Sequence, residues 1–469
     1  MGPTDARIVG SLRDAVPAPL WLDRERPLPP CPTLTGNRRC DLAIVGGGFT
    51  GLWTALLAKE ADPSLEVAVL EADAVAGAAS GRNGGFCMST LTHGLANGAA
   101  RWPTEIPRLE ALGLENLDAI EDTVHRHGIE CGWRRSGEML VATEPWQVDG
   151  IREEVELGAR FGRTIDYLDR DAIRAEVDSP SFLAAWWDKR GCAMVDPALL
   201  AWGLAQAAAG LGVHHFERTP VTRLETTRTG VVLSTPLGRL RAGRAALGTN
   251  AFPSPLRRVR LHTIPVYDYA LATEPLSEGR WAELGWRNHQ GLADGANRFH
   301  YAQRTPDGRI LWGGFDAVYH FGSRIDPSLD QRPATFALLA AHFLDTFPQL
   351  EDVRFTHRWG GAIDTCTRFA PFFGTAMGGR VAYALGYTGM GVGASRFGAR
   401  VMLELLGGTS GELSALEMVR RRPLPFPPEP LRSIGIGITR WSIARADANA
   451  GRRNLWLRAL DRLGVGFDT

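Results

Sequence analysis

Three glycines, Gly46, Gly48 and Gly51, stand in the stretch "CDLAIVGGGFTGLWTALLAKEADPSLEVAVLEAD", and Glu71 follows the last of them by twenty residues. Glycine at this spacing has a defined task between a strand and a helix. The first permits a tight turn, the second lets backbone approach a pyrophosphate, and the third lets the helix close on the strand. Phe49 and Thr50 open the helix, whose N-terminal amides and positive dipole end face phosphate. Glu71, with Ala72 after it, ends the next strand, where a carboxylate holds an adenosine ribose. The chemistry is dinucleotide binding, and to this point it suits NAD and FAD alike.

Two later glycine segments favour FAD. "AALGTNAF" (245–252) runs a strand into a turn at Gly248, bringing a second backbone segment to the dinucleotide. "GYTGMGVGASRFG" (386–398) allows near contact with a flat ring, and a helix beginning near Gly391 aims its positive end at the flavin N1–C2=O edge. A third segment, "ASGRNGGF" (79–86), sets one cation and one amide, Arg82 and Asn83, in bare backbone. On its own it reads equally as a surface turn.

The elements that must position these residues follow from periodicity. Asp41–Val45 and Val67–Leu70 are short apolar runs, buried parallel strands on either side of a helix over 52–59. Residues 105–175 look helical, 195–216 is a helix feeding a strand, and 220–250 alternates short strands with turns. Residues 261–321 alternate and turn like antiparallel strands, 335–347 is an amphipathic helix, and 380–408 repeats the opening plan of strand, glycine loop and helix. After the Pro-rich linker "PLPFPPEP", the Arg- and Trp-bearing tail reads as a helix packed back on the body, with a membrane-surface helix as the alternative.

Composition narrows the classes. The 469 residues carry 52 basic and 52 acidic side chains, a balance that predicts no bulk electrostatic attachment to nucleic acid or to anionic membrane. The six cysteines form no CxxC pair, so neither a zinc site nor a disulfide framework is expected. No secretory signal or apolar run of about 20 residues is visible, and a cytoplasmic protein without a membrane span is the default expectation. Only two lysines occur, Lys59 and Lys189.

Taken in order, "AIVGGGFTGLWTALLAKE…VLEAD", "AGAASGRNGGF", "VDPALLAWGLAQAA", "HRWGGAIDTCTRFAPFFG" and "GYTGMGVGASRFGARVMLELL" resemble the D-amino-acid-oxidase-like superfamily of FAD-dependent oxidoreductases, covering about 40 to 410. The "SGRNGGF" and "WGG…RFAPFFG" forms are most like its γ-glutamylputrescine oxidoreductase branch. The resemblance implies an α/β (α+β overall) fold: a Rossmann-like FAD domain of 36–102, 193–252 and 355–410, with an inserted substrate domain of 103–192 and 253–354 built on an antiparallel sheet. Residues 411–469 would be a tail packing on the body.

Position by position, Gly46, Gly48 and Gly51 match the pyrophosphate loop and Glu71 the ribose carboxylate. Ala79, Ser80, Gly81, Arg82, Asn83, Gly84 and Gly85 match the segment beside the flavin, where Arg82 and Asn83 would donate hydrogen bonds to the reduced ring. Val221 matches the position whose backbone meets the adenine, and Gly389, Met390, Gly391 and Val392 the loop at the pyrimidine edge. Two departures stand out. Gly393 occupies the position where sarcosine-oxidase-type enzymes carry a carboxylate-gripping Lys, and the position of their flavin-bound Cys falls near Gly361, so FAD is expected to be non-covalent.

The resemblance implies oxidation of an amine or amino-acid-like C–N bond: hydride transfer to flavin, then hydrolysis of the imine to aldehyde or ketone plus amine or ammonia. Tyr267, Tyr269, His300, Tyr301 and Arg304 lie on strands that would cover the flavin, with about half facing the pocket, and Trp359 precedes a Gly-Gly pair whose motif faces the flavin. Lys59 and Lys189 both lie in the wrong segments for oxygen activation near the flavin, which leaves His300, Arg304 or an acceptor other than oxygen. No metal is called for, and the oligomeric state is not legible. An NAD-dependent dehydrogenase and a flavoprotein subunit without catalysis of its own are the rival readings.

Overall fold

The first apolar run is the inner half of a ten-residue strand, Gly36–Val45, exposed at its start and buried over its last four residues. In the computed structural model, which describes residues 6–408 and 411–465, this strand lies between two parallel neighbours, Gly238–Leu247 and Val67–Leu70. Both its faces are covered. Leu42 and Ile44 enter the core beneath the helices, while Ala43 and Val45 enter a second core on the opposite side. That two-sided burial is why the run is uniformly apolar rather than alternating.

The sheet continues outward to His214–Phe216 on one side and to Val381–Leu385 and Phe372–Ala376 on the other. The helices Phe49–Ala61, Pro197–Gly210 and Gly391–Gly407 pack over one face. Pro197–Gly210 starts cleanly because Asp196 accepts the amides of Ala198 and Leu199 at 3.1 and 3.0 Å, a cap of about 1 kcal/mol.

A second eight-stranded sheet runs Phe355–Thr365, Ile264–Thr273, Ile310–Gly314, His300–Arg304, Gly291–Asp294, Glu138–Ala142, Ala184–Asp188, Asp166–Leu168. It is antiparallel except where Gly291–Asp294 runs parallel to Glu138–Ala142. The helix Pro333–Thr346 closes one face with Phe336, Leu339 and Phe343 against Trp312 and Tyr269. The other face looks toward the glycine loops of the first sheet.

The segment boundaries expected from sequence are redrawn in three places. Phe355–Thr365, grouped with the cofactor segment 355–410, pairs along Ile264–Thr273 in the second sheet instead. Ile106–Arg126, grouped with 103–192, buries Leu109, Leu112 and Leu117 in the same core as Leu52 and Val401. Within the supposedly helical 105–175, Glu138–Ala142 and Asp166–Leu168 are strands. In each case the deciding contact is distant in sequence. Residues 409–410 and 466–469 of the expected segments lie outside the described residues.

The helix Gly391–Gly407 lies directly on the short strand Phe86–Met88. A Cβ at Gly393 would stand 2.0 Å from the Met88 carbonyl oxygen, and the buried Asn116 donates to the Gly393 carbonyl at 2.9 Å. No side chain fits at this position, the one that the resemblance sets against a lysine. Gly393→Ala is therefore expected to lower stability by about 1–3 kcal/mol, read as a reduced urea midpoint; an unchanged midpoint would show that helix and strand are not in contact.

Candidate active site

A cleft of about 1360 Å³ opens between the loops at the ends of the first sheet's strands and the free face of the second sheet. Its volume exceeds the roughly 300–1,000 Å³ of an ordinary small-ligand pocket. At one end stand Gly46, Gly48, Phe49 and Thr50, with Glu71 and Ala72 beside them. Gly46 has φ +107°, and a Cβ there would meet the Gly248 carbonyl oxygen at 2.5 Å. Gly51 does not reach the cleft; a Cβ there would strike the Gly46 carbonyl oxygen at 1.9 Å, so its role is to let helix meet loop. Glu71 is half-buried and accepts the Gly47 amide at 2.6 Å and the Asp73 amide at 3.0 Å. Burial pushes its carboxyl up despite those bonds, and a carboxylate retains lone pairs for ribose hydroxyls. The Thr249 hydroxyl on the same wall is buried with no partner among the described residues. These residues fit a dinucleotide: a cradle that side chains would fill, a carboxylate beside it, and an orphaned donor.

The segment 79–86 runs from this end along the cleft. Ala79–Gly81 is a single tight helical turn, and the Ser80 hydroxyl accepts the Phe49 amide at 2.9 Å, capping the glycine-loop helix. Ala79, Ser80, Arg82, Asn83 and Gly84 line the cleft, while Gly81 and Gly85 lie beneath it. Asn83 departs from expectation. Its amide donates to the Ala79 and Ser80 carbonyls at 2.9 and 3.0 Å and accepts from the Gly85 amide at 2.8 Å, so its donors shape the loop rather than a ring. Arg82 donates to the Gly77 carbonyl at 2.8 Å and pairs with Asp330. Two indoles pin the backbone: Trp359 donates to the Arg82 carbonyl at 2.9 Å and Trp21 to the Asn83 carbonyl at 2.8 Å.

Across from it, the second sheet sorts the sequence candidates by face. Along Ile264–Thr273 the alternation sends Val266, Asp268 and Ala270 to the cleft. Tyr267 lies in the cleft wall, but its ring is buried and stacked with Tyr269 at 6.3 Å. Its hydroxyl accepts from the Asp326 amide at 3.1 Å, which holds the loop bearing Asp330. Tyr301 does face the cleft, donating its hydroxyl to Asp268 at 2.7 Å and packing on Gly84 and edge-on to Phe86. His300, its neighbour, therefore points to the opposite face. There it is stacked between Trp312 and Phe315 and bonded to Asp294 at 2.6 Å and His342 at 2.9 Å. Arg304 is also away from the cleft, lying 4.0 Å over the Trp281 ring and donating to the Trp286 carbonyl. Neither can stand in for a lysine at a flavin.

Asp268 is the residue sequence reasoning missed. It sits deep in the chain yet open to the cleft, and burial pushes its carboxyl up to about 6 against the Tyr301 hydrogen bond. The available signal was one acid between two tyrosines in "IPVYDYALAT", the sole charge of an otherwise apolar strand. A second missed carboxylate, Asp364, accepts the Gly386 and Tyr387 amides at 2.5 and 3.2 Å and holds the turn that carries Gly389, Met390, Gly391 and Val392 to the cleft. Val221 and Gly248 also line it. Lys59 is spent on the Pro63 and Leu65 carbonyls and Lys189 on Asp166, so among the described residues no lysine lines the cleft, and no cysteine does.

Comparison with known proteins matches this arrangement to one family. Residues 41–405 match the model of DAO, FAD dependent oxidoreductase. The chain is 32% identical over 404 residues to gamma-glutamylputrescine oxidoreductase of Escherichia coli (strain K12), covering 84% of this chain and 90% of that one. It is 28% identical over 393 residues to the probable oxidoreductase OrdL of Haemophilus influenzae, covering 82% and 87%. In fold it resembles glycine oxidase from Geobacillus kaustophilus, with TM-score 0.66, 20% identity and coverage of 82% and 99%. L-proline dehydrogenase from P. horikoshii has TM-score 0.65 at 16% identity, with coverage of 80% and 96%. The cradle, carboxylate and helix end described above are what an FAD needs, and the chain belongs to the DAO family of FAD-dependent oxidoreductases.

Proposed function

We propose that the protein oxidises the C–N bond of a small-molecule amine or amino acid at the wall formed by Asp268 and Tyr301. Bound FAD supplies the two-electron acceptor for hydride leaving the carbon next to nitrogen. Gly46, Gly48 and Glu71 would hold its adenosine and pyrophosphate half, Ala79–Gly84 would run beside it, and the helix starting at Gly391 would present amides to it. The FAD dependence of the family sets aside the NAD reading of the glycine loop.

The observation that carries the substrate reading is the Asp268–Tyr301 pair, an acid open to a largely apolar cleft. An amine arrives as an ammonium ion, and an α-C–H yields hydride only from the neutral amine. Asp268 hydrogen-bonds the ammonium and takes its proton; Tyr301, fixed against Gly84, holds the carboxylate in orientation. Buried aromatic side chains such as Trp359 keep bulk water from the reacting carbon until the imine is released for hydrolysis. With no cleft lysine among the described residues, an acceptor other than oxygen is the favoured partner for the reduced cofactor.

The purified protein should be yellow, release its FAD on acid precipitation, and bleach under nitrogen with a suitable amine. That amine should turn over faster with an artificial acceptor than in air. A colourless protein that does not take up FAD would contradict the reading, and flavin that stays with the pellet would contradict the non-covalent site. Asp268→Asn should keep its FAD and lose about 10²–10⁴ in kcat/KM. In the wild type, kcat/KM should fall as pH drops below about 6, where the Asp268 carboxyl takes up a proton and can no longer accept one; the variant should lack this limb. An identical pH profile in both proteins would remove Asp268 from the mechanism. Asn83→Ala should weaken FAD binding by at least about fivefold, since it removes three loop hydrogen bonds each worth about 1 kcal/mol; equal FAD affinity in a fluorescence titration would contradict the loop's role.

A further inference from the structure

The last two described helices, Leu431–Asp447 and Leu455–Arg462, pack against each other and against the body by one side only. Their inner side is well anchored. Ile443, Ala446 and Leu457 form a small core of their own. Asp447 accepts the Asn297 side chain at 2.7 Å and the Arg298 guanidinium at 3.2 Å, and Arg440 reaches Asp316 at 2.9 Å.

The outer side is different. Leu431, Ile434, Ile438 and Trp441 recur three and four residues apart and are 61%, 54%, 40% and 58% exposed. They form one apolar stripe along the helix, which Arg445 continues one turn on, its guanidinium 5.5 Å over the Trp441 ring. The second helix adds Leu455, Trp456 and Leu463 to the exposed apolar surface.

Charge on this hairpin is lopsided in a chain that is otherwise balanced. Residues 423–465 carry seven arginines against Glu429, Asp447 and Asp461. All three acids are occupied: Glu429 by Tyr319 and Ser433, Asp447 by Asn297 and Arg298, and Asp461 by Arg453. Arg445, Arg452, Arg458 and Arg462 are exposed, with no carboxylate partner among the described residues. Apolar side chains flanked by uncompensated cations match a bilayer surface with anionic headgroups. Leu and Ile enter the acyl boundary, Trp sits at headgroup level, and guanidinium groups meet phosphate. A second copy of this chain fits poorly, because a two-fold contact through this patch would set the unpaired arginines against their own equivalents.

We propose that this hairpin is a peripheral membrane anchor that docks the protein on anionic lipid surfaces. It lies in the plane of the interface; no helix among the described residues is long and apolar enough to cross a membrane. The two sequence readings of the tail, packed back or membrane-facing, are the two sides of one hairpin. Its inner side also walls the mouth of the cleft through Ile443, Leu457 and Leu460, and Leu431, Trp441 and Trp456 of the exposed apolar surface border the same mouth, so docking would set the cleft against the bilayer.

The test is co-sedimentation of the full-length FAD-loaded protein with vesicles of phosphatidylcholine alone, and of phosphatidylcholine with phosphatidylglycerol. The anionic vesicles should retain at least tenfold more protein, and 0.5 M salt should release most of it. The double variant Ile434→Asp, Ile438→Asp should lose the binding while keeping its FAD and its thermal unfolding profile. Arg458→Glu with Arg462→Glu, as a second variant, should weaken binding to anionic vesicles alone. Equal retention by both vesicle types, no retention by either, or wild-type retention by the Ile434/Ile438 variant would each overturn the proposal. So would a concentration-dependent dimer in sedimentation velocity that the same variant abolishes, since the apolar stripe would then be covered by a second copy.

Discussion

Everything at the cleft depends on backbone meeting backbone where the parallel strands end. At Gly46, Gly51 and Gly248 the main chains approach so closely that a single methyl group would occupy space held by a carbonyl oxygen or a neighbouring side chain. The closeness is possible only because these positions carry no Cβ, where Gly36–Val45 runs directly into the helix Phe49–Ala61. It has a chemical consequence: the positive end of the helix Phe49–Ala61 opens onto the cleft, which suits an anionic group there. Ser80 and Asn83 extend this order along the cleft by tying the 79–85 loop to itself and to the first helix.

The second sheet contributes a surface of fixed parity. One face is a dry aromatic core of Tyr267, Tyr269, Trp312 and Phe336, and the other bears Asp268, Tyr301 and Gln303 toward the glycine segments. Gln303 donates to the Gly84 carbonyl at 2.8 Å, so the sheet face bearing Asp268 and the 79–85 loop are held to each other directly. A carboxylate is costly in such a setting unless something meets it. Tyr301 meets it in part, and the remaining capacity is what suits Asp268 to a cationic amine.

The glycine cradle was readable because it is local: Gly46, Gly48 and Glu71 line the cleft from within one βαβ unit, where spacing alone fixes geometry. The substrate half was not. Whether His300 or Tyr301 faces the cleft is a matter of one residue's register, and it is decided by which face of the sheet the helix Pro333–Thr346 covers and which meets the glycine loops. Asp268 was passed over beside its two tyrosines for the same reason, since alternation names two faces but not which is inner. The segment boundaries at 103 and 355 failed because Ile106–Arg126 and Phe355–Thr365 are placed by partners far along the chain. For the tail, what the structure shows is packing on the body, through Asp447 against Asn297 and Arg298.

The central claim is that an amine's α-hydrogen leaves at the Asp268 wall toward the bound cofactor. The most direct measurement is the reductive half-reaction under nitrogen, followed at the flavin absorbance in a stopped-flow instrument. A reducing amine would be compared with its α-deuterated form. The structure predicts complete bleaching, slowed several-fold by deuterium. A flavin that no amine reduces, or reduction at a rate deuterium leaves unchanged even at saturating amine, would contradict it.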